Sequence, residues 1–369
     1  MVGAAPSAAN RLRSDLIRHL GARDILLTDS GTTALRLALE GLRHKRPGAT
    51  VALPAYGCYD LATAAVGASM PVRFYDVDPW SLSPDVDSLR GAIRAGAEVV
   101  VVAHLYGIPV DLDAVREVAR EGGASVVEDA AQAVGAWIEE RRAGSAGSLA
   151  VLSFGRGKGL GGSGGGALVA NDVDGERALT GVLDRLGRGC RGGAALAQAC
   201  GQWLLARPSL YGLPASVPFL RLGETVYRSP HPPGPIAPAS AGIVSRMMHG
   251  IDGAAEVRRR HAARLLASSH RSTRFRPVDP PSGSRPGWLR LPVLATAERS
   301  NVSTRARRLG IEPGYPTPLD ALPALTALVV GRGGGWPGAE TLARRLITLP
   351  THDRLSSGDL LRLEAWLAA

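Results

Sequence analysis

The sequence predicts a doubly wound, mostly parallel α/β sheet flanked by helices, followed by a smaller α+β domain. Three observations predict it. Short apolar strands alternate with amphipathic helices through the first two-thirds of the chain. One of those strands, Glu98 to Leu105, is a continuous apolar run of the kind covered on both faces. After a proline-rich stretch, HPPGPIAP, the pattern changes to a long helix followed by mixed elements. The implied division is a large domain over 1–240, with an irregular segment over 190–240, and a small C-terminal domain over 241–369.

The elements follow in order. Asp24 to Leu27 reads as a strand. Thr32 to Leu42 reads as a helix whose apolar face is Leu35, Leu39 and Leu42. Val51 to Leu53, closed by Pro54, and Val72 to Tyr75 are strands. Ser83 and Pro84 open a helix through Ile93, with serine as cap and proline at its first position. A helix around Val115 to Ala119 is entered through Asp111 or Asp113. Ala124 to Val127 is a strand delivering Glu128 and Asp129. Leu149 to Phe154 and Ala167 to Ala170 are two further strands. Pro208, Pro214 and Pro218 punctuate the irregular segment. Ala241 to Ser269 reads as one long helix, Trp288 to Leu291 as a strand, and the chain closes on helices.

Composition narrows the function. The 369 residues are 45% hydrophobic and 21% charged, a balance suited to a soluble globular chain with a large core. Cys58, Cys190 and Cys200 are too few and too scattered for a disulfide framework or a zinc ribbon, which favours a reducing, cytoplasmic setting. The N-terminus lacks a signal-peptide core and no stretch reaches membrane-spanning length. A net charge of +10 invites a nucleic-acid reading, but aromatics make up only 5% of the chain and the basic residues are dispersed. An anionic small substrate fits that charge equally well.

Two of the 43 basic residues are lysines, Lys45 and Lys158; all the others are arginines. Arginine replaces lysine as a generic cation but cannot act as an amine nucleophile or form a Schiff base. Lys45, in RHKRPG, reads as a solvated charge. Lys158, in SFGRGKGLGGSGGG between two strands, needs a chemical explanation. The literal GxGxxG from Gly159 to Gly164 precedes a strand instead of a helix, so it is no dinucleotide fingerprint, and no Walker A motif is present. His104 reads as a hydrogen-bonded core residue. No residues have metal-ligand spacing, and no GxSxG elbow occurs.

Three loops stand at predicted strand ends, where α/β sheets bind ligands. TDSGTT (28–33) runs into a helix and reads as a phosphate-binding turn or a plain cap. EDAAQ (128–132) brings acids, and the third loop brings Lys158. An amine, an acid for a ring nitrogen and donors for a phosphate are what pyridoxal 5′-phosphate (PLP) requires.

SGTTALRLAL (30–39), LPAYGCYDLA (53–62), HLYGIPVDLDAV (104–115), EDAAQAVGA (128–136) and LSFGRGKGLGGSGGGALVAND (152–172), with GIEPGYPTPL (310–319) and LPTHDRLSSGDL (349–360), resemble the DegT/DnrJ-type sugar aminotransferases, a branch of the fold-type I PLP enzymes. The resemblance implies that Lys158 forms the Schiff base, Asp129 meets the pyridine nitrogen and Gln132 lies close to the ring. Gly31, Thr32, Thr33 and Ser153 would then receive the phosphate. Where the family stacks an aromatic on the ring this chain has Cys58, which leaves Tyr56 or Tyr59 for that role. The family's Asn-Tyr-Arg segment is reduced to Arg246 within SAGIVSRMM. The implied activity is amino transfer from glutamate or glutamine to a keto-sugar or related keto intermediate, in a homodimer with shared active sites. A dehydratase or lyase on the same scaffold and a non-catalytic regulator are the alternatives.

Overall fold

The computed structural model describes residues 7–45, 47–187, 226–298, 302–331 and 334–368. Cys190, Cys200, Pro208, Pro214 and Pro218 lie outside the described residues, as does the side chain of Lys45.

A seven-stranded sheet forms the centre. Its strands are β1 (Asp24–Thr28), β2 (Thr50–Pro54), β3 (Val72–Tyr75), β4 (Ala97–Ala103), β5 (Ser125–Asp129), β6 (Leu149–Ser153) and β7 (Gly166–Ala170), in the spatial order β1-β7-β6-β5-β4-β2-β3. The pairs β2·β3, β2·β4, β4·β5 and β5·β6 are parallel, while β7 runs antiparallel to both its neighbours. The valine run of β4 is buried on both faces because helices cover both sides. On one side, α2 (Gly31–Lys45) and α3 (Asp60–Gly67) contribute Leu35, Leu39 and Leu61 to a cluster with Leu53 and Val101. On the other, α4 (Val86–Arg94) and α5 (Leu112–Glu121) set Leu89 and Val115 against Val100. Helix α1 (Ala8–Leu20) packs with α7 (Pro238–Met248) over Leu152 and Val169. Helix α6 (Val173–Thr180) follows β7.

A four-stranded antiparallel sheet forms from the C-terminal part: β8 (Phe275–Pro277), β9 (Arg290–Ala295), β10 (Glu312–Pro313) and β11 (Leu346–Pro350), ordered β8-β9-β11-β10. Around it run α8 (Ile251–Ser269), α9 (Thr304–Arg308), α10 (Pro337–Arg345) and α11 (Ser357–Ala368). The first apolar cluster continues without a break into this sheet through Leu291, Val293 and Leu349, and into α11 through Leu363. Asp76, at the end of β3, adds a polar tie: its carboxylate accepts from the N–H groups of Gly338 (2.8 Å) and Ala339 (2.8 Å), the start of α10.

Three local readings change. The helix expected from Ser83 starts at Val86, because Asp85 supplies the cap, accepting from Ser88 N (2.8 Å), while Pro84 pairs with Val77 in a tight turn. The long helix over 241–269 is two helices, broken at His249 and Gly250, where the Gly250 N–H turns back onto Met247 O. The strand expected from Trp288 begins at Arg290, since Trp288 adopts a left-handed φ of 42°. The antiparallel course of β7 and the extended path of the HPPGPIAP stretch, which pairs Pro235 with Thr28, complete the frame.

Candidate active site

Five loops leave the carboxyl ends of parallel strands on one edge of the sheet, and each carries residues singled out above. The turn after β1 is capped internally. Ser30 Oγ accepts from Thr33 N (3.0 Å), and the buried Thr33 hydroxyl donates to Asp29 Oδ1 (2.5 Å). Thr33 therefore holds the turn together, whereas the Thr32 side chain is half-buried at the start of α2. Ser153, at the end of β6, meets this turn directly. A β-carbon on Gly31 would stand 2.7 Å from Ser153 Cβ and 3.1 Å from its Oγ. The two halves of the expected phosphate site are thus in contact.

Lys158 sits in the glycine-rich turn between β6 and β7, with its N–H donating to Gly155 O (3.2 Å). Contacts further along hold this turn in place. Ser163 and Ser240 share a buried 2.8 Å hydroxyl pair. Gly162 lies against Val244 and Gly165 against Ile236, where β-carbons would come within 2.7 and 2.9 Å. The lysine side chain is half-buried and makes no hydrogen bond or ion pair among the described residues. Its charge acts on the Asp129 carboxyl and the Cys58 thiol, pulling both downward.

Asp129 ends β5. Burial pushes its carboxyl above the ordinary range; the hydrogen bond from Ala131 N (3.0 Å) and the Lys158 charge oppose that only in part. Glu128, its neighbour, points the opposite way, as strand alternation requires. It accepts from Ala146 N (2.9 Å), Gly147 N (3.0 Å) and His104 Nε2 (2.8 Å). Burial would raise this carboxyl, but His104 and the backbone donors hold it below its usual range. His104 Nδ1 accepts from Val110 N (2.9 Å), so the ring proton lies on Nε2 and serves Glu128. His104 is the hydrogen-bonded core residue expected of it.

Gln132, one turn beyond Asp129, is held at both ends. Its Oε1 accepts from Tyr106 N (3.0 Å) and its Nε2 donates to Tyr315 Oη (2.9 Å). Tyr56, fully buried, bonds to Tyr106 Oη (3.3 Å) and accepts from Tyr315 N (2.9 Å). Tyr59 is buried and its hydroxyl pairs with Thr317 Oγ1 (2.6 Å). Cys58, between these tyrosines in sequence, is half-buried; its thiol is pushed up to about 12 by burial and by Asp60. Tyr315 and Thr317 stand within GIEPGYPTPL and Tyr106 within HLYGIPVDLDAV, segments that carry the resemblance, but the sequence assigns none of the three a role. A tyrosine in a C-terminal segment carries no local signal of a partner some 180 residues away. Arg246 is exposed on α7, apart from these residues. Among the described residues no cluster of metal ligands occurs, and no helix is long and apolar enough to cross a membrane.

The donor set suits PLP. An amine and a desolvated carboxylate that have no ion-pair partner among the described residues, and a helix start in contact with a serine, stand at the same edge of the sheet.

The sequence model of the DegT/DnrJ/EryC1/StrS aminotransferase family matches residues 7–193. The dTDP-3-amino-3,4,6-trideoxy-alpha-D-glucose transaminase of Streptomyces venezuelae is 44% identical over 151 residues, covering 40% of this chain and 38% of that one. The UDP-N-acetyl-3-dehydro-alpha-D-glucosamine 3-aminotransferase of Acidithiobacillus ferrooxidans is 36% identical over 154 residues, 42% of each chain. The alignments thus span about two-fifths of these relatives. Among solved structures, the aminotransferase TlmJ from Streptoalloteichus hindustanus superposes with a TM-score of 0.76 at 26% identity, over 99% of this chain and 91% of that one.

Proposed function

This chain belongs to the DegT/DnrJ/EryC1/StrS aminotransferase family, and from that premise we propose that it transfers an amino group from glutamate or glutamine to a keto-sugar or a related biosynthetic keto intermediate, using PLP. The observation that carries the reading is the pairing of Lys158, an amine with no partner among the described residues, with Asp129, a carboxylate held desolvated at the end of an adjacent strand.

Lys158 would hold the cofactor's carbonyl carbon and Asp129 its ring nitrogen. Thr32, Ser153 and the backbone N–H groups at Gly31 and beyond would hold its phosphate, with Thr33 fixing the turn from behind. Gln132 would lie beside the ring, with Tyr59 as a further cofactor-binding residue. Bound PLP supplies a carbonyl that condenses with amines and a ring that accepts the electron pair released at a substrate carbon. The protein's own work is proton handling and exclusion of alternatives. Asp129, ionised, keeps a proton on the ring nitrogen. Lys158 Nζ would serve as the base that takes a proton from the substrate carbon and as the acid that gives one back. The pinned glycine turn fixes the backbone from which that side chain extends.

The division at residue 240, a homodimer whose active sites borrow residues across the interface, and a cytoplasmic setting belong to the same proposal. Arg246, exposed on α7, is available to such a partner.

The test is the absorbance spectrum of purified protein with PLP, for wild type and Lys158→Ala, before and after adding glutamate or glutamine. A visible band that needs Lys158 and is bleached by the amino donor supports transamination. A Lys158-dependent band indifferent to every amino donor turns the reading toward elimination chemistry on the same scaffold. Folded protein with no band sinks the enzyme reading.

A further inference from the structure

The residues around Gln132 form a closed arrangement that amino transfer, as described, does not require. The Tyr106 N–H reaches Gln132 Oε1 because Tyr106 adopts a left-handed φ of 56°, a strained conformation for a non-glycine residue. The other end of the carboxamide is met from the C-terminal part of the chain, where Tyr315 Oη accepts from Nε2. Tyr315 is itself fixed three times over. Its N–H donates to Tyr56 Oη, its ring stacks on Tyr106 (5.9 Å between centroids, 24°), and its edge meets Tyr56 (5.5 Å). Gly314 before it lies so near Tyr56 Oη that a β-carbon would stand 2.3 Å away. Strain, stacking and a glycine-only approach therefore converge on one amide.

We infer that Tyr315 is a positioning residue for Gln132: it fixes the orientation of the carboxamide against the cofactor ring, and so lends a residue of the C-terminal part to the cofactor site. The inference rests on the proposed PLP reading. An amide held only at Oε1 rotates about its terminal torsion, whereas one held at both ends presents a single face. Burial keeps the Tyr315 phenol protonated, well above its usual range. Its own O–H therefore remains intact while its oxygen accepts from Gln132.

Tyr315→Phe isolates the point, because it keeps the stacked ring and the N–H to Tyr56 and removes only the acceptor. The experiment measures the PLP dissociation constant and the position of the Lys158-dependent visible band for wild type, Tyr315→Phe, Gln132→Ala and the double variant. Thermal melting serves as the control for folding. Tyr315→Phe should weaken PLP binding about three- to tenfold, the worth of one hydrogen bond, and displace the band. Its melting temperature should stay within about 3 °C of wild type. In the Gln132→Ala background the same change should have no further effect. Equal losses in both backgrounds, or no change in wild type with PLP bound, would overturn the positioning role and leave the PLP reading standing. Absence of any Lys158-dependent band in wild type would overturn both.

Discussion

Gly31 and Ser153 stand at the ends of different strands, yet they approach so closely that a β-carbon on Gly31 would lie 2.7 Å from the serine's own. The first residue of α2 is therefore glycine for want of space, and the helix start is pressed against the end of β6. Any anion bound there meets backbone N–H groups and the Ser153 hydroxyl together.

Gly31→Ala should thus separate two groups that act jointly. The expected result is PLP binding weakened at least about tenfold, with a stability loss of about 1–3 kcal/mol from overpacking. Thr33→Ala provides the contrast. Its hydroxyl serves Asp29 and not the outside, so it should lower the melting temperature while changing PLP affinity less than Gly31→Ala does. Calorimetry and PLP titration on the two variants distinguish these effects, and an undisturbed Gly31→Ala site would remove the phosphate assignment.

Asp129 makes a prediction of opposite sign for stability and for function. Burial raises its carboxyl in the native state, so the native protein without PLP binds this proton more tightly than the unfolded chain does. Below the unfolded value, about 3.9, both states are protonated and nothing is lost. As pH rises through the native value, the carboxylate is held ionised in a desolvated place and stability falls. Asp129→Asn should therefore raise the melting temperature of the PLP-free protein at pH 7, by about 2–4 °C, and the gain should shrink toward acid. The same variant should lose PLP affinity, because the ring nitrogen loses its anionic partner. A destabilised Asp129→Asn at neutral pH would contradict the account.

These residues also show how far the sequence could be read. The scarcity of lysine identified Lys158, and strand endings identified the loops around Asp129 and Ser153. Both are local signals, which the structure places on one sheet edge. The separate roles of Glu128 and Asp129 were not legible. Alternation says that they point apart, but not that Gly144 to Gly147 would fold back to surround Glu128. Helix starts were misread where a turn competed with a cap, as at Ser83 and Asp85. The unbroken helical pattern over 241–269 hid the stop at Gly250, since Gly242 and Gly253 stand inside the helices on either side and one more glycine carries no separate signal. Tyr315 was beyond reach because its partners, Tyr56, Tyr106 and Gln132, lie in other loops of the large sheet.

Asp76 links β3 to α10 through the N–H groups of Gly338 and Ala339, and it is 8% exposed. Asp76→Ala takes the acceptor from three backbone donors, the N–H groups of Val77, Gly338 and Ala339, which costs about 1–3 kcal/mol. The expected drop in melting temperature is about 3–8 °C, with Asp76→Asn recovering part of it through its carbonyl oxygen. Proteolysis near α10 should accelerate in step, since this cap is a polar attachment of that helix to the main sheet. Unchanged melting and proteolysis would show that the shared apolar cluster alone holds the helix.

The turn carrying Lys158 gives the most discriminating test of its pinning. Gly162 does not have a left-handed φ, so an alanine there is opposed by contact alone, and the nearest atom is Val244 Cγ2 at 2.7 Å. The next nearest atoms, both carbonyl oxygens at 3.4 Å, leave room for a methyl once the valine is gone. Gly162→Ala should therefore displace the turn and weaken PLP binding about tenfold. Val244→Ala, cutting away buried methyl groups on α7, should cost about 1–2 kcal/mol of stability with little change in PLP affinity. Combining the two should restore PLP binding to within about twofold of wild type while keeping the stability loss, a non-additive outcome expected only of residues in contact. If the double variant binds PLP no better than Gly162→Ala, then the Gly162–Val244 contact does not set the position of Lys158, and the Ser163–Ser240 pair is what ties the turn to α7.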